Sequence, residues 1–140
     1  MLSFGEFKKV NEKYMRIFFD IDIKEIAEAF CADEELVRKC FRNGHYSRGI
    51  LAAALCEELN QVNPIYEYDV DYGERGEKIL LVRKDLQTDE EEKCSFYDLK
   101  LDKGHYRKPF DGENIFAKVR TRDMSNVIKV YFYVPYLFVE

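Results

Sequence analysis

IKEIAEAFCADEELVRKCFR, residues Ile23 to Arg42, carries two short amphipathic patterns on either side of an acidic turn. Ile23, Ile26, Ala27 and Phe30 fall on one helical face, and Leu36, Val37, Cys40 and Phe41 form another at the same spacing. Asp22 with Glu25 three residues on is a helix start, because a side-chain oxygen can take an orphan backbone N–H while the glutamate favours the first turn. Asp33 begins the second helix in the same way, and Asn43-Gly44 offers a left-handed stop. Each apolar patch needs a neighbour, so this pair of helices is the first element of the expected core.

The spacing resembles the helix-turn-helix family of DNA-binding domains over these twenty residues. The resemblance implies that Ala27 is the small residue where the helices cross and that Val37 faces back from a recognition helix. Cys31 stands in the turn where that family usually has glycine. The reading end of the second helix bears Asp33, Glu34 and Glu35, with Arg38 and Lys39 behind them, and acids there oppose a polyanion. Two packed core helices are the alternative.

Working outward, Phe4, Phe7, Val10, Tyr14 and Ile17 form a stripe that predicts a helix from Phe4 to Phe18, with Ser3 and Glu6 as a capping box. A further helix is expected from Ser47 to Gln61, stopped by Asn63-Pro64. After Pro64 the period changes to alternation. Strands are predicted over Tyr66–Tyr72, Lys78–Lys84, Phe96–Leu101, Asn114–Arg122 and Val127–Val139, with Asp85 to Glu92 as a solvated loop. Pro135 bends the last strand or sits at an edge. The expected fold is a single α+β domain over 1–140: an N-terminal helical half of about four helices (1–63) packed on a C-terminal, mostly antiparallel sheet of about five strands (64–140).

The length suffices for a core without metal or disulfide staples. The net charge of −5 is spread evenly, which disfavours a globally basic nucleic-acid protein. The start MLSFGEFKK lacks a signal-peptide pattern and no apolar run is long enough to span a bilayer, so a cytoplasmic, non-membrane protein is expected. Cys31, Cys40, Cys56 and Cys94 have no paired spacing and are expected as reduced core thiols. Cys31, Cys40, His45 and Cys56 have zinc-ligand chemistry without zinc spacing, so no metal and no cofactor are expected.

Four groups could carry function. From Leu36 to Cys56 there is no acid, while Arg38, Lys39, Arg42 and Arg48 could hold phosphate or an acidic partner. Lys118, Arg120 and Arg122 make a basic row, and Lys129, Tyr131 and Tyr133 alternate on the next strand, a combination suited to single-stranded nucleic acid. Glu67, Asp69 and Asp71 make an acidic row that could imitate DNA, although wet strand faces commonly carry such charges. His45 and His105 recur in the similar segments GHYSR and GHYRK, and together they could act as base and acid on a phosphodiester without metal. Arg38 with His45 also loosely resembles the HEPN ribonuclease family, although Lys39 replaces its usual small polar residue.

The leading expectation is a small non-enzymatic binding or regulatory module that acts through a protein partner, such as an inhibitor or regulator from a mobile element. The alternatives are a helix-turn-helix DNA-binding regulator and a small ribonuclease using His45 and His105. The apolar run Val127 to Val139 should be covered either by the chain's own helices or by a second copy in a homodimer.

Overall fold

The run YMRIFFDID, Tyr14–Asp22, is a strand and not the end of a helix. In the computed structural model, which describes residues 6–10, 12–42, 48–98, 114–120 and 126–139, it pairs antiparallel with the last strand from Tyr14 opposite Pro135 to Asp22 opposite Val127. Apolar residues occupy both parities of the run, Tyr14 and Phe18 as well as Met15, Ile17 and Ile21. A strand with an apolar inner face and rings among the polar residues of its outer face produces that pattern, and it also fits a helical stripe. Pairing along the whole strand decides between them. The expected helix from Phe4 to Phe18 is therefore replaced by two antiparallel strands, β1 (Glu6–Lys9) and β2 (Tyr14–Asp22). Ser3, half of the expected capping box, lies outside the described residues.

The helical segments then follow: α1 (Ile23–Ala29), α2 (Glu34–Arg42) and α3 (Arg48–Val62). Strands β3 (Tyr66–Asp71), β4 (Leu80–Asp85), β5 (Glu91–Asp98), β6 (Asn114–Arg120) and β7 (Val127–Pro135) lead to a last short helix, α4 (Tyr136–Val139). Among the described residues the seven strands form one curled sheet in the order β1-β2-β7-β6-β5-β4-β3. Neighbours are antiparallel except β5 and β6, which are parallel. The expected helical half on a C-terminal sheet does not form. The sheet dominates and takes strands from both ends of the chain, and the short helices connect β2 near one edge to β3 at the other.

The inner face of the sheet carries Ile17, Ile21, Val130, Phe132 and Ile115, all buried, and Leu51, Leu55 and Leu59 of α3 belong to the same core. With β2 and β6 on either side, β7 is central, and Pro135 ends it where the chain turns into α4. Ile128, Val130, Phe132 and Val134 are thus covered within the chain, while Val127 and, beyond the strand, Leu137 stay exposed. The expected loop Asp85 to Glu92 is a tight hairpin. The Asp85 carboxylate accepts from the backbone N–H of Gln87 (2.8 Å) and Thr88 (3.2 Å), and β5 already starts at Glu91.

Around the first two helices the local signals act as read. Asp22 caps α1 by accepting from the Lys24 N–H at 2.8 Å, and Asp33 accepts from the Glu35 N–H at 3.3 Å. Ala27, Val37 and Phe41 are buried. Phe30 and Leu36 are not: they are 53% and 57% exposed. Phe30 is the residue at which α1 ends, so its backbone leaves the helical path and the side chain leaves the buried face. Beyond it, Ala32 N–H bonds Ala27 C=O (2.8 Å) and Cys31 N–H bonds Glu28 C=O (3.4 Å), with Cys31 at φ +51°. This is a Schellman ending with cysteine in the left-handed position that glycine usually fills. Cys31 is accordingly exposed and not a core thiol.

Candidate functional site

The outer face of the sheet gathers cations and aromatic rings from strands far apart in sequence. The register sets Phe18 of β2 opposite Tyr131 of β7, Arg16 opposite Tyr133, and Asp20 opposite Lys129. On the other side of β7, Lys118 and Arg120 of β6 occupy the positions opposite Tyr131 and Lys129. The two alternations noted in the sequence, one on each strand, thus meet in single rows across the sheet. Arg122 lies outside the described residues.

Within this face four side chains form a stack. The guanidinium of Arg16 lies 5.3 Å from the Tyr131 ring centre, Tyr131 and Phe18 have centroids 4.8 Å apart at a 33° tilt, and Lys129 Nζ lies 5.4 Å from the Phe18 centre. A cation, two rings and a second cation follow one another across the β2–β7 pairing. Each cation over a ring contributes roughly 0.5–1 kcal/mol at such partly open sites. Arg16, Phe18 and Tyr131 are half-buried and Lys129 is exposed, so the charged groups remain reachable. Toward Pro135 the same face closes, where Tyr14 and Phe116 are buried and meet edge to face at 6.3 Å. Arg16 and Phe18 were hidden from sequence reasoning by the helical reading of their segment. Alternation of Met15, Ile17 and Ile21 was the signal that could have revealed them.

The other predicted groups are dispersed or engaged. Arg38 is turned inward: it pairs with Glu35 and donates to Asn126 Oδ1 at 2.6 Å, tying α2 to the start of β7. Lys39 and Arg48 are exposed on α2 and α3, and Arg42 ends α2. His45 and His105 lie outside the described residues. At the start of α2, Asp33, Glu34 and Glu35 are all exposed.

The acidic row of β3 is interleaved with cations. Glu67 is opposite Lys84, and Asp71 accepts from Lys93 Nζ at 3.2 Å and from the Gly73 N–H at 2.9 Å. The Gly73 N–H, and after it Lys93, hold the Asp71 carboxyl below its ordinary range. Asp69 is exposed and accepts from the Val70 N–H. Its carboxylate also adds to the burial that pushes the nearby Cys56 thiol up.

A second buried centre, missed from sequence, surrounds Arg83 of β4. Its guanidinium donates to the carbonyls of Leu137 (2.7 Å) and Phe138 (2.9 Å), pairs with Glu92 at 2.6 Å, and lies 4.2 Å from the Tyr66 ring centre. Tyr68 OH donates to Phe138 C=O at 3.3 Å, and burial pushes its phenol up to about 12. These groups serve the end of α4: cations favour helix C-termini, and the open carbonyls need donors. In sequence Arg83 is one cation among several in a strand, with nothing to mark it as buried.

Among the described residues no three His, Cys, Asp or Glu side chains converge as metal ligands, no disulfide joins the cysteines, and no helix is long and apolar enough to cross a membrane. Comparison of the chain with protein-family models, with curated proteins and with solved structures finds no match.

Proposed function

We propose that this chain is a small binding module that acts by protein–protein interaction, and that the outer sheet face built on Arg16, Phe18, Lys129 and Tyr131 receives an acidic segment of its partner. The stack is the observation that carries the reading. Aromatic rings and arginine, half-buried and held in fixed rows, are the composition of interface hot spots. Both cations lie beside rings of the stack, which fixes their positions before a partner arrives and lowers the ordering cost of binding.

The same stack argues for carboxylates over bases. A base stacks on an open ring face, but Phe18 and Tyr131 pack on each other and each has a cation beside it. A carboxylate can take the cations where they are. The net charge of −5 also repels a long polyanion more than a compact acidic patch. Single-stranded nucleic acid is the second reading, favoured by the register of Lys118 and Arg120 beside this face. Reading of duplex DNA by α2 is opposed by its three exposed acids and by the engagement of Arg38. The phosphodiesterase alternative gains no geometry from the described residues.

The test is an amide and side-chain NMR titration of the whole chain with a short glutamate-rich peptide, and separately with a single-stranded oligonucleotide. Shifts confined to β2 and β7 and produced more strongly by the peptide are expected. Shifts centred on α2, or none on the sheet, overturn the proposal.

A further inference from the structure

The register places the charges of the outer face in three rows across the strands, about 6.6 Å apart. Lys8 of β1 is in the row of Arg16, Glu6 and Lys118 are at the two ends of the row of Phe18 and Tyr131, and Arg120 is in the row of Asp20 and Lys129. The cation positions therefore run diagonally, from Lys8 and Arg16 at one corner to Lys129 and Arg120 at the other. The Phe18–Tyr131 pair sits at the middle of that diagonal, and the positions of Glu6 and Asp20 both fall on one side of it. Arg16 and Lys129 are two rows and one strand apart, about 14 Å between their backbone positions. Each is held beside a ring, and among the described residues neither is in an ion pair.

This spacing selects a backbone conformation. In an extended chain residues i and i+4 face the same side about 13 Å apart, with residue i+2 between them. In an α-helix the same two residues are separated by about 6 Å, too little to reach both cations. We infer that the acidic segment bound by the outer face is extended and has the pattern acid-x-apolar-x-acid, its carboxylates on Arg16 and Lys129 and its central side chain over the half-buried rings of Phe18 and Tyr131. With Asp20 opposite Lys129 on β2, the acid at that end approaches from the side of β6, where Arg120 is the neighbour in register. The inference rests on the reading of this face as a site for an acidic segment, and adds the segment's conformation and spacing.

NMR titration of the full chain at low salt with end-blocked peptides tests it. Glu-Ser-Leu-Ser-Glu is compared with its isomer Glu-Glu-Leu-Ser-Ser, whose neighbouring acids face opposite sides of an extended chain, and with Glu-Ser-Ser-Ser-Glu. The first is expected to bind about fivefold more tightly than the isomer and about threefold more tightly than the serine peptide. Arg16→Gln and, separately, Lys129→Gln should each abolish the preference over the isomer, because one anchor is left. Lys129 is exposed, so its variant decides the matter should the half-buried Arg16 not tolerate replacement. Equal binding of the two isomers to the parent, or a preference that survives in the Lys129 variant, overturns the inference and leaves the acidic-segment reading standing. No binding of any of the peptides overturns both.

Discussion

Asn60 of α3 and Tyr68 of β3 are joined by two hydrogen bonds, the Asn60 Nδ2 donating to Tyr68 C=O at 3.0 Å and its Oδ1 accepting from Tyr68 N–H at 2.7 Å. The carboxamide thus presents to the strand what a neighbouring strand would present. Since β3 is an edge, this occupies groups that could template pairing with another chain. The N–H of Tyr66 and that of Val70 are taken as well, by Asn63 C=O and the Asp69 carboxylate. Replacement of Asn60 by alanine should cost about 1–2 kcal/mol in denaturant unfolding and introduce concentration-dependent association. A stability within about 0.5 kcal/mol of the parent, with unchanged sedimentation, would show that the edge needs no cover.

Arg83 should be the most sensitive strand cation. Arg83→Ala removes two charge-assisted bonds to the α4 carbonyls and a ring contact, a loss of about 2–3 kcal/mol measured by chemical denaturation. Arg83→Lys should recover little of it, because a single ammonium lacks the fork that reaches the Leu137 and Phe138 carbonyls together with Glu92. Full recovery by lysine would mean that charge alone holds α4.

At Cys31 the left-handed backbone is occupied by a side chain that is exposed and contributes little packing. Cys31→Gly should therefore stabilise the fold by about 0.5–1 kcal/mol, read as a higher denaturation midpoint at an unchanged slope. Destabilisation would show that the cysteine makes a contact worth more than the backbone relief.

The thiols should separate by location. Cys31 reacts with a disulfide reagent in the native protein, while Cys56 and Cys94, both buried, react only after unfolding. For Cys56 burial first, and the Asp69 carboxylate second, disfavour the reactive thiolate. Prompt native reaction of more than Cys31 and the half-buried Cys40 would contradict the packing around α3.

Asp71 supplies a pH dependence. Its folded carboxyl titrates below the ordinary carboxylate range, held down by the Gly73 N–H and by Lys93. The stabilisation is fully present above the unfolded pKa and is lost as pH falls through the lowered folded value. Carboxyl NMR should find the Asp71 midpoint below the ordinary range in the parent and raised in Lys93→Ala. An ordinary midpoint in the parent would contradict the contacts.

The helices that could be read in the sequence are those whose local signals agree with their packing. Asp22 and Asp33 cap α1 and α2, and α3 forms within one residue of its expected limits because Leu51, Leu55 and Leu59 recur at helical spacing on a segment free of breakers. The strand β3 is legible for the same reason, since its buried Tyr68 alternates with the exposed Glu67 and Asp69. For β2 the local signals conflict with the outcome. The outer parity of β2 mixes Tyr14 and Phe18 with Arg16, Asp20 and Asp22, which dilutes the alternation of Met15, Ile17 and Ile21 and lets the apolar residues fit a helical stripe as well. Its partner β7 lies more than a hundred residues later, beyond the reach of a window. That one misreading turned a sheet-dominated fold into a helical half and a sheet, and it concealed Arg16 and Phe18. Half of the candidate face, Lys118, Arg120, Lys129 and Tyr131, was visible as alternation on single strands, but only register shows that it is one surface.

Fluorescence anisotropy of a labelled glutamate-rich peptide, measured with the parent chain and with an Arg16→Gln, Lys129→Gln double variant at low and physiological salt, tests that surface most directly. The account predicts salt-sensitive binding to the parent, a loss of about tenfold or more in the double variant, and an unchanged affinity in Arg38→Gln. Equal affinity of parent and double variant, or no binding to either at low salt, would contradict it.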